Sequence, residues 1–129
     1  MNTASALRHF FNAFVYAWSG VLVLFRTQRS FRIHAGIGLA VTAAGLLLRL
    51  PAPAWCWLVL AIGAVLSAEA LNTAVEFLAD VVSPEFHPAI KKVKDVAAAA
   101  VFFAAFGSAV IALLILGPAL WNRLFGTTP

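Results

Sequence analysis

Negative charge is scarce in this chain: there are five carboxylates in 129 residues, and none precedes Glu69. Charged residues of both signs make up 11% of the chain and apolar residues 63%. A soluble domain carries about a quarter charged residues, so this balance points to a membrane protein, with one domain for the length. The mean hydropathy of +0.95 agrees. A single cysteine, Cys56, excludes an intrachain disulfide and a cysteine-based metal centre. Between Trp55 and Trp57 it reads as a buried small hydrophobe. No Gly-x-x-x-x-Gly-Lys-Ser/Thr loop occurs, which excludes an ordinary P-loop nucleotide site. The first apolar stretch is interrupted by Asn12, Tyr16 and Ser19 and ends at Arg26 without a small-residue cleavage motif, so no cleavable signal peptide is expected. A net charge of +4 would suit nucleic acid, but the cations stand singly or in short groups at the ends of apolar runs. That is the pattern of membrane-flanking charge, and no nucleic-acid partner is expected.

What is present is helix. Residues 5–27 place Leu7, Phe11, Phe14, Trp18, Leu22 and Phe25 on one side, with Arg8, Asn12, Tyr16, Ser19 and Arg26 on the other. Such segregation suits an amphipathic helix lying in the membrane interface better than one crossing it. Thr27-Gln28-Arg29-Ser30 is a polar break and predicts a turn. Residues 33–49 form the first spanning candidate, lengthened by snorkelling of Arg32, His34 and Arg49. Leu50-Pro51-Ala52-Pro53 then forces a turn. Residues 54–80 read as the second span with a cytoplasmic extension, and residues 81–90, which hold Ser83-Pro84 and His87-Pro88, as a loop. Residues 92–118 read as the third span, which Gly117-Pro118 is expected to end. The fold class is therefore an all-α integral membrane protein: an interfacial amino-terminal helix and three transmembrane helices.

With three crossings, Arg8, Arg26, Arg29, Arg32, Lys91, Lys92 and Lys94 share one side, and Arg49 and Arg123 the other. The excess places the amino terminus and the 81–95 segment in the cytoplasm of a bacterial inner membrane. Trp55, Trp57 and Trp121 then gather at the opposite interface, where indole rings are favoured.

The chemistry concentrates in Glu69-Ala70-Leu71-Asn72-Thr73-Ala74-Val75-Glu76-Phe77-Leu78-Ala79-Asp80. At about 100° per residue, Glu69, Asn72, Glu76 and Asp80 fall within a stripe roughly 80° wide and about 16 Å tall. Carboxylates at the edge of a bilayer are costly and mark functional sites; the alternative is a solvated acidic face on a cytoplasmic helix end. All five acids lie from Glu69 to Asp95, with Lys91, Lys92 and Lys94 beside them. Acidic oxygen clusters hold Mg²⁺, which takes one or two carboxylates plus substrate phosphates and water. Lysine meets phosphate charge, and a carboxylate deeper in the bilayer takes a proton from a lipid hydroxyl. Together these parts suggest phosphoryl transfer from a nucleotide to a membrane lipid. Transporters also use intramembrane acids, so a small ion-coupled transporter is the rival class.

Glu69-Ala-Leu-Asn-Thr-Ala-Val-Glu76, Asp80, Ser83-Pro-Glu-Phe-His-Pro88 and Lys92-Val-Lys-Asp-Val-Ala-Ala-Ala-Ala-Val101 resemble the signature of the small prokaryotic diacylglycerol kinases, a family that includes the undecaprenol kinases. Tyr16-Ala-Trp18 and Phe31-Arg-Ile-His34 extend the resemblance over nearly the whole chain. It implies a homotrimer of three-span subunits with a surface helix, and active sites shared between neighbouring subunits. It also implies ATP as phosphate donor, Mg²⁺ as cofactor and a membrane lipid alcohol as acceptor, diacylglycerol first and undecaprenol close behind. By the same resemblance Glu69 is the general base, Glu76 holds the Mg²⁺ of the nucleotide, and Asn72 and Trp18 position the reacting groups. Tyr16, Glu85, His87, Lys94 and Asp95 match nucleotide-contacting residues, and Asp80 continues the ladder. The chain departs from the pattern at Gln28, where many members have a glutamate as second metal ligand. An amide oxygen still binds Mg²⁺ but brings no charge, and an inactive relative is thereby conceivable. Phe86 stands where some members have tyrosine. The three lysines read alternatively as positive-inside charge, His9 and His34 as interfacial residues, and His87 as either a turn residue or a nucleotide contact. Residues 97–100, all alanine, are expected to let helices approach closely.

Overall fold

A computed structural model describes residues 3–126, with side chains from Leu7 onward. Four helices account for almost all of them: α1 (Thr3–Thr27), α2 (Arg29–Leu47), α3 (Ala52–Val82) and α4 (Pro88–Phe125). In lipid every backbone polar group must be satisfied within its own segment, and helices of this length and apolarity do so. All four are long and apolar enough to cross a membrane, α1 included. Amphipathicity sets α1 apart, being strongest there.

The break between α1 and α2 is tighter than the expected four-residue turn. Gln28 alone leaves the helix, with extended backbone (φ −106°, ψ 112°). Its N–H bonds Leu24 O at 2.9 Å, and Arg32 Nη1 reaches back to Phe25 O at 2.9 Å and Arg26 O at 3.4 Å. A cation on the last carbonyls of α1 satisfies orphan acceptors and meets the negative end of its dipole. Phe25 and Phe31 pack edge to face beneath this joint, 5.1 Å between centroids.

The end of α2 is a Schellman motif. Arg49 N–H bonds Leu46 O and Leu50 N–H bonds Gly45 O, both at 3.1 Å. Arg49 takes the left-handed conformation (φ 54°) that this motif requires, and Pro51 prevents continuation. From this turn α2 and α3 run antiparallel in close contact. A Cβ on Gly45 would lie 2.9 Å from Trp55, and one on Gly38 would lie 3.0 Å from Ile62. Those two glycines set the separation of the pair, as small residues do where lipid offers no hydrophobic drive.

The longest interface is that of α3 with α4. It is pinned by Ser108 Oγ donating to Ala61 O at 2.9 Å and by Lys94 meeting Asp80 near the other end. Between these contacts the antiparallel register carries residues 97–100 past the level of Asn72 and Glu76, and only Ala97 of the four is part-buried. The core is small: Phe31, Leu58, Ala61, Val65 and Ala79 are its buried apolar residues. One face of α4 packs half-buried on α3 and no described residue of it is fully buried, so the rest of its circumference is left to lipid or another chain.

Three expectations are corrected. The helix passes through Pro118 and ends at Gly126, whose positive φ of 66° suits glycine and whose N–H caps Asn122 O. Proline is tolerated within apolar helices of membrane proteins, where neighbours re-satisfy the freed carbonyl. The 81–90 loop contracts to residues 83–87, because α3 runs to Val82 and α4 starts at Pro88, a first-turn position where a missing N–H costs nothing. Cys56 is exposed on α3 rather than buried.

Candidate functional site

The polar ladder forms as the helical period requires, and its rungs differ in surroundings. Glu69 is 3% exposed and Thr73 2%, the two buried polar residues among those described. Asn72 and Glu76 are half-buried and Asp80 is exposed. Ascending α3 is therefore a passage from a dry interior to water.

At the buried end, His34 Nδ1 of α2 lies 2.6 Å from Glu69 Oε1. His34, expected at the interface, is the partner of the buried carboxylate. The available signal was its place just inside a span, where an ionisable side chain ordinarily has a partner. The missing information was the register of α2 on α3, which the Gly38–Ile62 and Gly45–Trp55 approaches determine. Beside this pair opens a cavity of about 290 Å³ between α2, α3 and α4, walled by apolar side chains such as Ile37, Val41, Leu58 and Val65.

One turn up, Asn72 Nδ2 donates to Glu76 Oε1 at 2.9 Å. Asn72 Oδ1 is buried without a hydrogen-bond partner. A buried amide oxygen left in this state costs about 1–3 kcal/mol, unless something else takes its lone pairs. Oδ1 and the Glu76 carboxylate are hard oxygen donors one turn apart, which suits Mg²⁺ held jointly with nucleotide phosphates. Among the described residues no three Asp, Glu, His or Cys groups gather as a self-sufficient metal cage. Gln28 is half-buried at the head of α2 with no cap bond from its side chain, and no hydrogen bond joins it to the ladder. By the antiparallel register it sits near the level of Glu76, some 9 Å along α2 from His34.

At the wet end, Asp80, Glu85, Phe86, His87, Lys91 and Lys94 line a second cavity of about 300 Å³ in the α3–α4 turn. Lys94 Nζ meets Asp80 Oδ1 at 2.5 Å, and Lys91 Nζ meets Asp95 Oδ2 at 2.6 Å. His87 caps α4, its Nδ1 accepting from Ala89 N–H at 3.2 Å, and Ser83 Oγ donates to Glu85 O at 3.0 Å. The predicted residues Glu85, His87 and Lys94 share this cavity with Asp80, and Asp95 joins through Lys91. Tyr16 and Trp18 are 73% and 65% exposed on α1 and come together with none of the ladder residues within one chain.

Comparison with known proteins gives this geometry its context. Residues 15–116 match the family model described as prokaryotic diacylglycerol kinase. The chain is 41% identical over 114 residues to an undecaprenol kinase of Bacillus subtilis, covering 88% of this chain and 93% of that one. It is 43% identical over 113 residues to a diacylglycerol kinase of Synechocystis, covering 87% of this chain and 65% of that relative. A family match that spans most of the chain, from the α1 aromatics to the end of the α4 apolar run, makes this protein a member of the prokaryotic diacylglycerol kinase family.

Proposed function

We propose that this protein transfers the γ-phosphate of ATP to the hydroxyl of a membrane lipid alcohol, with diacylglycerol as the leading acceptor and phosphatidic acid as product. The observation that carries this reading is the single helix face running from a buried carboxylate beside an apolar cavity to an exposed lysine-bearing one. A greasy alcohol and a water-soluble nucleotide need such a path to meet. Glu69 takes the hydroxyl proton as the oxygen attacks phosphorus, and Asn72 holds Glu76 in place beneath the phosphates. Lys94 exchanges Asp80 for phosphate oxygens, a swap that exposure makes cheap. Glu76 and Asn72 Oδ1 would hold Mg²⁺, with Gln28 a weaker neutral contributor; bound there, the ion offsets charge on the transferring phosphates.

The functional unit is a homotrimer with sites shared between subunits. Support comes from α4, whose described residues are at most half-buried within one chain, and from Tyr16 and Trp18, which reach no ladder residue of their own subunit. The amino terminus and the residue 83–95 region lie on the cytoplasmic side of a bacterial inner membrane, supported by seven of nine cations on that side.

Undecaprenol is the second acceptor. The relative whose length this chain spans almost fully bears that substrate in its name, whereas the diacylglycerol kinase relative is spanned for 65% of its length. The test is purified protein in mixed micelles with radiolabelled ATP, Mg²⁺ and either lipid. Labelled phosphatidic acid is expected. A kcat/KM favouring undecaprenol would exchange the two acceptors, and no phosphorylated lipid from any alcohol, with proton or ion flux in vesicles, would replace the kinase by the transporter reading.

A further inference from the structure

The His34–Glu69 contact asks more than family membership answers. As the base of the reaction proposed above Glu69 is ionised and only accepts hydrogen bonds, so in that role the proton of the 2.6 Å contact is carried by Nδ1. Glu69 is almost wholly buried, and among the described residues no other group bonds it. Among the described residues no cation is bonded to it. On α3 the neighbouring polar groups are Asn72, whose amide N–H is given to Glu76, the buried Thr73, which makes no bond to Glu69, and Glu76 itself. From α4 the facing stretch, residues 96–122, carries no charge. On α2, Arg32 is engaged with the carbonyls of Phe25 and Arg26 at the end of α1. The imidazole is thus the one donor that orients this carboxylate.

We propose that His34 is a positioning residue for the transfer: its Nδ1–H holds Oε1 of Glu69, so that Oε2 is kept in place for the acceptor hydroxyl. The inference rests on Glu69 being the base of the reaction proposed above. A glutamate side chain has three rotatable bonds, and holding it in one rotamer before the substrate arrives removes that ordering from the reactive step. The position fits a lipid acceptor. His34 lines the apolar cavity beside Val65 and Gly38, and the cavity's other polar side chain, Ser108, is committed to Ala61 O. Of the residues that line the cavity, His34 carries the remaining polar side chain, and its ring is bonded to Glu69. In the step that follows, the acceptor O–H bond breaks and its proton goes to Oε2. The acceptor oxygen bonds the γ-phosphorus, and the bond from that phosphorus to the β–γ bridging oxygen breaks, the electron pair leaving with ADP. His34 keeps its own proton throughout.

The test uses the full-length protein in diacylglycerol micelles. His34→Phe preserves a ring of similar volume without the donor. Its kcat is expected to fall about 10- to 100-fold, with KM for Mg-ATP unchanged within about twofold. His34→Asn, whose amide nitrogen lies near the place of Nδ1, is expected to recover most of the loss. Should the phenylalanine variant fail to assemble, His34→Ala with added imidazole replaces it, and kcat should rise with imidazole concentration. A His34→Phe protein that assembles and turns over at the wild-type rate overturns the inference. Equal losses in the phenylalanine and asparagine variants, or no response to imidazole, also overturn it, since a purely structural ring would behave so. Wild-type protein that makes no phosphorylated lipid would instead remove the kinase reading itself.

Discussion

The carboxylates of α3 meet their partners in two environments about three helical turns apart. Glu69 and His34 are 4% and 25% exposed at the side chain, whereas Asp80 and Lys94 are 66% and 36% exposed, and Asp95 and Lys91 61% and 60%. Geometry alone would rank these contacts together, since all lie near 2.6 Å. Surroundings separate them. A buried carboxylate that loses its donor bears a desolvation cost of roughly 1–3 kcal/mol or more, while exposed pairs contribute about 0–1 kcal/mol. The inner pair is therefore suited to hold a reacting group still, and the outer pairs are suited to exchange partners when a phosphate arrives.

Substitutions can break that contrast. The largest effect belongs to Glu69→Gln, which keeps the size and a hydrogen-bonding group but not the base. Turnover should fall about 10²- to 10⁴-fold while the protein still assembles in detergent, as judged by light scattering. Retained turnover would place the base elsewhere. Next is Glu76→Ala, which leaves Asn72 without its acceptor. The Mg²⁺ concentration for half-maximal activity should rise about tenfold or more, and an unchanged titration would take Glu76 out of the metal site. Lys94→Ala should raise KM for ATP about three- to tenfold, less at high salt, with little change in kcat. Gln28→Glu should sharpen the inner end by adding charge near Glu76, lowering the Mg²⁺ requirement about two- to fivefold. The smallest effect is expected of Lys91→Ala, which removes an exposed i,i+4 pair worth about 0.3–0.5 kcal/mol; thermal unfolding should shift by no more than about 2 °C. A large shift there would erase the distinction between the two environments.

Much of this arrangement is legible in the chain before any coordinates. The helices follow from apolar runs bounded by Pro51 and by Ser83-Pro84, and the ladder from the spacing of Glu69, Asn72, Glu76 and Asp80. The lysines stand at the wet end because cations flank spans. What could not be read depends on how one helix lies on another. His34 finds Glu69 only once Gly38 and Gly45 let α2 settle against Ile62 and Trp55, and a one-turn slip would part them. Pro118 looks like a terminator because proline ends helices in water, whereas an apolar helix in a membrane tolerates it. Cys56 is exposed among apolar neighbours because such neighbours mark a core in water but a lipid-facing surface in a membrane.

Gln28 has a further consequence as the lone residue between two helices. One pair of backbone torsions decides the angle at which α1 departs from α2, so every side chain on α1, Tyr16 and Trp18 among them, swings as a single arm. Glycine there would slacken the elbow without touching the ladder. Proline would cost the bond to Leu24 and would force φ from −106° toward about −65°, redirecting the whole arm. Position 28 therefore governs reach as well as charge, and a change made to test one must be checked for the other.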